Sequence, residues 1–298
     1  MRIVVLGNCQ SHGIGHGLAH LLPEARVEVA QLNGPADAPR AQVARRLVKD
    51  CDIVFTQRLD ARYGALGTQA LAGTGKPVVP VPKIIFRGYQ PDIAYLEVGG
   101  QTKYSPIGAY HSSIVAAAFS LGVAEADVPM LFNRLVYARL GHFDVFGKAR
   151  TLLAEELAAF GPDFVACFDS WHARGPFMHT LNHPRVFVLA DIARVAAIRA
   201  GLLPADAPPV VLAFDHLAGN TIWPVYPEIA ETLGVPAGLV FKRAVTPAAT
   251  AHVLHLGLTA FIRESYASYA RLPAEAFRSG AIGEARQPLA AFLGCDPG

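Results

Sequence analysis

The first hundred residues alternate short apolar runs with amphipathic stretches, switching between the two-residue period of strands and the longer period of helices. Ile3-Val4-Val5-Leu6 is an unbroken apolar run closed by Gly7, the pattern of a strand buried on both faces. Asn8 to Leu22 predicts a loop leading into a helix that stops at Pro23. Arg26–Leu32 predicts a second strand, and Ala38–Asp50 a helix with Val43, Leu47 and Val48 on its apolar side. Asp52–Thr56 reads as a third buried strand, Ala61–Ala72 as a helix and Pro77–Val81 as a fourth strand. Strands alternating with helices build a parallel sheet covered on both sides.

Past residue 108 helical spacing takes over. His111–Leu121, Asp127–Leu140, Gly147–Phe160, Pro184–Ala200 and Pro247–Tyr269 each predict a helix, and Phe164–Phe168 a strand. Prolines crowd the stretch 203–227, which predicts an ordered surface loop. The expected architecture is α/β: a Rossmann-like parallel sheet flanked by helices over 1–108, with a mostly helical region over 109–298 packed on it and completing the ligand site.

Composition narrows the function classes. Hydrophobic residues make up 52% and charged residues 17% of the 298, which excludes intrinsic disorder. A formal charge of +2 excludes the basic footprint of a nucleic-acid binder. Cys9, Cys51, Cys167 and Cys295 lie far apart, so they form no disulfide framework and suit a reducing compartment. The N-terminal apolar run is too short for a signal-peptide core. The longest uncharged stretch, Ala244–Ile262, contains Pro247, His252, His255 and Gly257 and reads as a buried helix, with no membrane span. A soluble, cytoplasmic protein is expected.

The sharpest local feature is Gly7-Asn8-Cys9-Gln10-Ser11-His12 directly after the first strand. Ligands collect at the carboxyl ends of parallel strands, where loops and helix N-termini present N–H groups. Cys9 at such an edge is expected to have a depressed pKa and to favour thiolate, with backbone N–H groups at Asn8–Ser11 available to an oxyanion. His12, His16 and His20 recur every four residues along one helix face, but with no carboxylate between them no metal site is expected. A cysteine or serine nucleophile needs an imidazole within reach. His172, in Asp169-Ser170-Trp171-His172, and His183, in Asn182-His183-Pro184, are both open to that role, with Asp169, Thr180 or a backbone carbonyl as the orienting group. The run Pro82-Lys83-Ile84-Ile85-Phe86-Arg87-Gly88-Tyr89, followed by Lys103-Tyr104, mixes cations with aromatics and suits a phosphorylated, aromatic-headed ligand.

The Gly7–Gln10 motif, the segment Phe86-Arg87-Gly88-Tyr89-Gln90-Pro91-Asp92, the stretch Tyr110-His111-Ser112 and Asn182-His183-Pro184 together resemble the WcbI-like polysaccharide biosynthesis family over residues 1–185. The resemblance implies a divergent relative of the SGNH/GDSL hydrolases that binds coenzyme A or acetyl-CoA and transfers an acetyl group to a capsule sugar. It puts Cys9 where the serine of Gly-Asp-Ser stands in a GDSL enzyme, and His183 in the place of the late histidine. It implies ligand contacts at Gly7, Asn8, Gln10, Ser11 and His12, phosphates on Lys83, Arg87 and Lys103, and Tyr89, Tyr104 and His111 lining the site. Two departures stand out: no Gly-x-Asn-Asp block occurs, and Thr180 replaces Asp in the spacing before His183. An esterase or deacetylase, and a non-catalytic module holding coenzyme A or a nucleotide, are the competing readings. The implied partner is a sugar or polysaccharide precursor, and a homo-oligomer is left open.

Overall fold

A computed structural model describes residues 1–32, 38–244 and 254–296. Four strands, β1 (Arg2–Gly7), β2 (Arg26–Gln31), β3 (Ile53–Thr56) and β4 (Val78–Pro80), form one sheet in the order β2-β1-β3-β4. All three pairings are parallel, with Val5 opposite Val29 on one side and Phe55 on the other. Ile3, Val4, Val5 and Leu6 are fully buried, each contributing about 1.5–3 kcal/mol by burial. The crossovers are the helices α1 (Ser11–Leu21) and α2 (Pro39–Asp50). Val4 and Leu6 pack into a cluster with Ala41, Ala44 and Val48 of α2, while the opposite face meets α1, whose Gly15 lies on Val29 and Val5. The expected parallel sheet with helices on both faces is the observed one.

Contacts divide the chain into two compact units, each assembled from separated segments. The first comprises Met1–Ile85, Leu152–Met178 and Asn182–Ala218. In it, α1 packs closely on the helix Val186–Arg199. A Cβ at Gly17 would stand 2.8 Å from the Cβ of Ala193, so glycine sets that distance. The expected strand at Phe164–Phe168 is instead part of the helix Pro162–Ala173. Its buried residues Phe164, Cys167, Phe168 and Trp171 recur at helical spacing, and Pro162 opens the first turn, as proline does at that position. The expected helix Ala61–Ala72 is broken. A 3-10 segment, Ala61–Leu66, turns at Gly64 with φ of +56°, and a short helix, Thr68–Ala72, follows.

The second unit comprises Phe86–Thr151, His179–Leu181 and Gly219–Gly298. Its helix Ser113–Ser120 packs against Gly280–Leu293 and Leu258–Tyr269. The expected helix over Asp127–Leu140 divides into a 3-10 segment around Pro129 and a helix Arg134–Arg139, which the Asn133 side chain caps. Of the helix expected over Pro247–Tyr269, residues 247–253 lie outside the described ones. His255–Gly257 is a strand paired with Val240–Lys242, and the helix starts only at Leu258. Buried Asp92 accepts hydrogen bonds from Ser113 Oγ at 2.7 Å, Ile114 N at 2.9 Å and Tyr226 Oη at 2.7 Å, and burial still raises its pKa. No helix among the described residues is long and apolar enough to cross a membrane.

His142 in this unit carries a pH signature. Its ring is 6% exposed and stacks on Tyr137 at 5.8 Å. Burial, aided by the Arg87 guanidinium, lowers its pKa to about 4. The unfolded chain therefore takes up this proton first as pH falls, and stability held above pH 6.5 is lost towards pH 4. Exchange for Phe keeps the stack and removes the titration. Wild type should lose about 3 kcal/mol of stability relative to His142→Phe from pH 7 to pH 4. Urea melts at the two pH values measure it, and parallel curves would refute it.

Candidate functional site

In the first unit, the carboxyl ends of all four strands converge on one cleft. Asn8 follows β1, Leu32 follows β2, Gln57 follows β3 and Lys83 lies just past β4, and all four line a cavity of about 370 Å³. Parallel strands end on one edge of a sheet, so this is the edge at which ligands are expected. Arg58, Arg62 and Lys83 outnumber the two lining carboxylates, Asp60 and Glu156. The Arg58 guanidinium lies 4.7 Å from the centre of the Phe160 ring. Arg62 pairs with Asp60 at 3.2 Å and rests on Tyr63. The cleft thus offers cations held on buried aromatic rings, suited to phosphate.

The turn after β1 is held by its own side chains. Asn8 N–H donates to Gln57 Oε1 at 2.9 Å, and Gln10 N–H to Asn8 Oδ1 at 2.9 Å. Ser11 donates both its N–H, at 3.0 Å, and its hydroxyl, at 2.7 Å, to the Asn8 carbonyl. Gly7 leaves room for Gln57, whose Oε1 would stand 2.5 Å from a Cβ there. Fully buried Gln10 uses its whole amide. Nε2 donates to Ile84 O at 2.7 Å and Asn182 O at 3.0 Å, while Oε1 accepts from Ile84 N at 3.0 Å and Gln57 Nε2 at 3.3 Å. One side chain therefore ties the β1 turn to the Lys83 segment and to the residue before His183.

Cys9 is half-buried at the centre of this turn. Burial pushes its thiol pKa up, outweighing the N–H groups of Cys9 and Gln10 that pull it down. That reverses the thiolate expectation, because desolvation of a charged sulfur exceeds what the nearby amide dipoles return. The N–H groups of Asn8, Gln10 and Ser11, expected to serve an oxyanion, already have internal acceptors. His216, which sequence reasoning missed, places Nε2 3.1 Å from the Cys9 carbonyl. Exposed His12 lies beside it, with ring centroids 5.9 Å apart. Among the described residues, no group of three or more His, Cys, Asp or Glu side chains could hold a metal ion.

The remaining sequence candidates fall into three groups. His183 is half-buried and directly follows Asn182, the acceptor of the Gln10 amide. Asp169 and His172 sit late in the helix Pro162–Ala173, and neither lines the cleft. The third group lies in the second unit. There the Arg87 guanidinium donates to Pro91 O at 3.0 Å and Ile93 O at 3.4 Å, and Lys103 Nζ to Gln101 Oε1 at 3.4 Å. Tyr89 is fully buried against Phe86 and Phe146. Buried His111 has both ring nitrogens engaged, by Tyr269 Oη and Lys103 O, each at 3.0 Å. Tyr104 is 70% exposed. Thr180, considered as an orienting group, bonds through its hydroxyl to Tyr110 Oη at 3.3 Å.

A family model, described as polysaccharide biosynthesis enzyme WcbI, matches residues 2–204, more than half of the chain. No curated protein and no solved structure matches the chain.

Proposed function

Because this chain belongs to the WcbI family of polysaccharide biosynthesis enzymes, we propose that it is a coenzyme A-dependent acetyltransferase acting on a sugar hydroxyl. The observation that carries this reading is the cleft at the four strand ends, with Arg58, Arg62 and Lys83 beside Phe160 and Tyr63. Those cations take the phosphates, with the buried rings beneath the guanidiniums holding them in place. Arg87 and Lys103 do not line this cleft, so the phosphate role passes chiefly to Arg58, Arg62 and Lys83.

In the reaction, the acceptor hydroxyl oxygen adds to the thioester carbonyl as His183 takes the hydroxyl proton. The carbon–sulfur bond then breaks, coenzyme A leaves as thiolate and receives that proton, and the sugar ester departs. Cys9 sits in the β1 turn next to Asn8, which lines the cleft, without lining it itself; it stays a neutral thiol, and we assign its N–H to the reacting carbonyl.

Calorimetry with coenzyme A tests the placement. At a hundred times Kd the ligand should stabilise the fold by about 2.7 kcal/mol. Lys83→Ala and Arg58→Ala should each weaken binding about tenfold, equal to ~1.4 kcal/mol. Arg26→Ala, at the start of β2 and paired with Glu28, should leave affinity unchanged. Equal effects from all three would overturn the cleft assignment. Turnover of an aryl ester without acetyl transfer would point to the esterase. Stabilisation by coenzyme A with no turnover of either would leave a binding module.

A further inference from the structure

His216 lies beyond the stretch that the family model matches, yet it reaches the centre of the β1 turn. It opens the 3-10 turn His216–Gly219, which Asp215 caps by accepting from Leu217 N at 3.1 Å and Ala218 N at 3.2 Å. The second Asp215 oxygen accepts from Val186 N at 3.1 Å, at the start of the helix Val186–Arg199. The imidazole is thus anchored to the helix on which α1 packs. Its Cε1 fills the space beside Gly13, where a Cβ would stand 2.9 Å away. Nε2 faces a carbonyl, which can only accept, so Nε2 carries the proton and Nδ1 is the bare nitrogen of the neutral ring.

The bond to Cys9 O closes a set. The peptide after Cys9 is held at both ends, its carbonyl by His216 and its N–H by Asn8 Oδ1. The Asn8–Cys9 peptide is held through its carbonyl by Ser11, and the Gly7–Asn8 peptide through the Asn8 N–H by Gln57. The Cys9 sulfur sits within this held turn, with the Cys9 and Gln10 N–H groups against it. We propose that His216 is a positioning residue of this site, locking the Cys9–Gln10 peptide so that the Cys9 N–H and sulfur stay aimed at the reacting acyl group. The proposal deepens the acetyltransferase reading and rests on it for the identity of that group. Fixed dipoles that need no reorganisation stabilise a developing oxyanion best. The titratable groups facing the ring are His12, His16 and Asp215. Burial lowers its pKa despite the opposing Cys9 carbonyl and Asp215, and the Nε2–H donor is present in both protonation states.

The test compares full-length His216→Leu, which keeps bulk but no donor, with His216→Gln, whose amide restores an N–H at similar reach. Iodoacetamide labelling at neutral pH, read by mass spectrometry at the Cys9 peptide, is normalised to exposed Cys295. Buried Cys51 reports that each variant is folded. The Leu variant should label at Cys9 at least about fivefold faster than wild type, as freed peptides let the sulfur reach water, and the Gln variant should return close to wild type. Acetyl-CoA turnover should fall about tenfold in the Leu variant, with coenzyme A affinity unchanged and partial rescue by Gln, the pattern of lost transition-state stabilisation. Wild-type labelling in the Leu variant, or equal acceleration in both, would overturn the proposal. The expected labelling in a wild type that transfers no acetyl group would instead overturn the acetyltransferase reading and leave the lock standing.

Discussion

Gln10→Leu is expected to cost the fold about 4 kcal/mol, with a matching drop in the urea midpoint and an unchanged slope. Leucine fills nearly the same volume, so no cavity contributes. The loss comes from what the amide leaves behind: the N–H and C=O of fully buried Ile84, the Asn182 carbonyl and the Gln57 side chain all lose a partner. Each unsatisfied buried group costs about 1–3 kcal/mol, and partial relaxation keeps the sum below the simple total. Gln10→Glu separates this account from a packing effect. A carboxylate could still accept from Ile84 N–H but would face two carbonyls where the amide donated. That variant should be less stable than Gln10→Leu at pH 7 and should recover as pH falls and the carboxyl acquires a proton. A Gln10→Leu protein within 1 kcal/mol of wild type would mean the network is dispensable.

Fold and site differed in how far the sequence exposed them. The strands β1 to β4 were legible because short runs rich in Val, Ile and Phe, each next to an amphipathic stretch, are a local signal that the sheet merely repeats. The stretch Phe164–Phe168 misled because five residues are too few to separate a two-residue period from a helical one. The missing evidence was Trp171, one turn further on. Gly7–Gln10 was legible for the reason β1 was, since a polar motif right after a buried strand marks a sheet edge. Gln57, Arg58 and Arg62 were not, because their meaning depends on β3 lying beside β1. Only the strand order supplies that fact. His216 carried a faint signal, an Asp-His pair opening a turn in a proline-rich loop, with nothing to connect it to Cys9 some two hundred residues away. Tyr89 and His111 show how burial escapes a local reading. Polar-tipped aromatics beside cations suggested an exposed surface, yet both side chains are buried, Tyr89 against Phe86 and Phe146 and His111 with both ring nitrogens engaged.

Under the proposed acetyltransferase reading, Cys9 and His183 decide how the acetyl group travels. A covalent relay needs a thiolate at neutral pH, and burial raises the Cys9 pKa. The thioester donor is already activated, so direct attack by the sugar hydroxyl requires only a base and a polarised carbonyl. The expected result is therefore asymmetric. His183→Ala should lower acetyl transfer by about 10²–10⁴ with coenzyme A affinity unchanged, whereas Cys9→Ala should keep most of the turnover. In a relay the pattern would differ: each single variant would lose about as much as the other, and the double variant little more, because members of one catalytic unit do not add. Acid-quenched reactions analysed for an acetyl adduct on the Cys9 peptide provide the independent check. An adduct that forms and decays at the turnover rate would establish the relay and sink direct transfer. Full activity in both single variants would move the base elsewhere, with His172 beside Asp169 the next pair to replace.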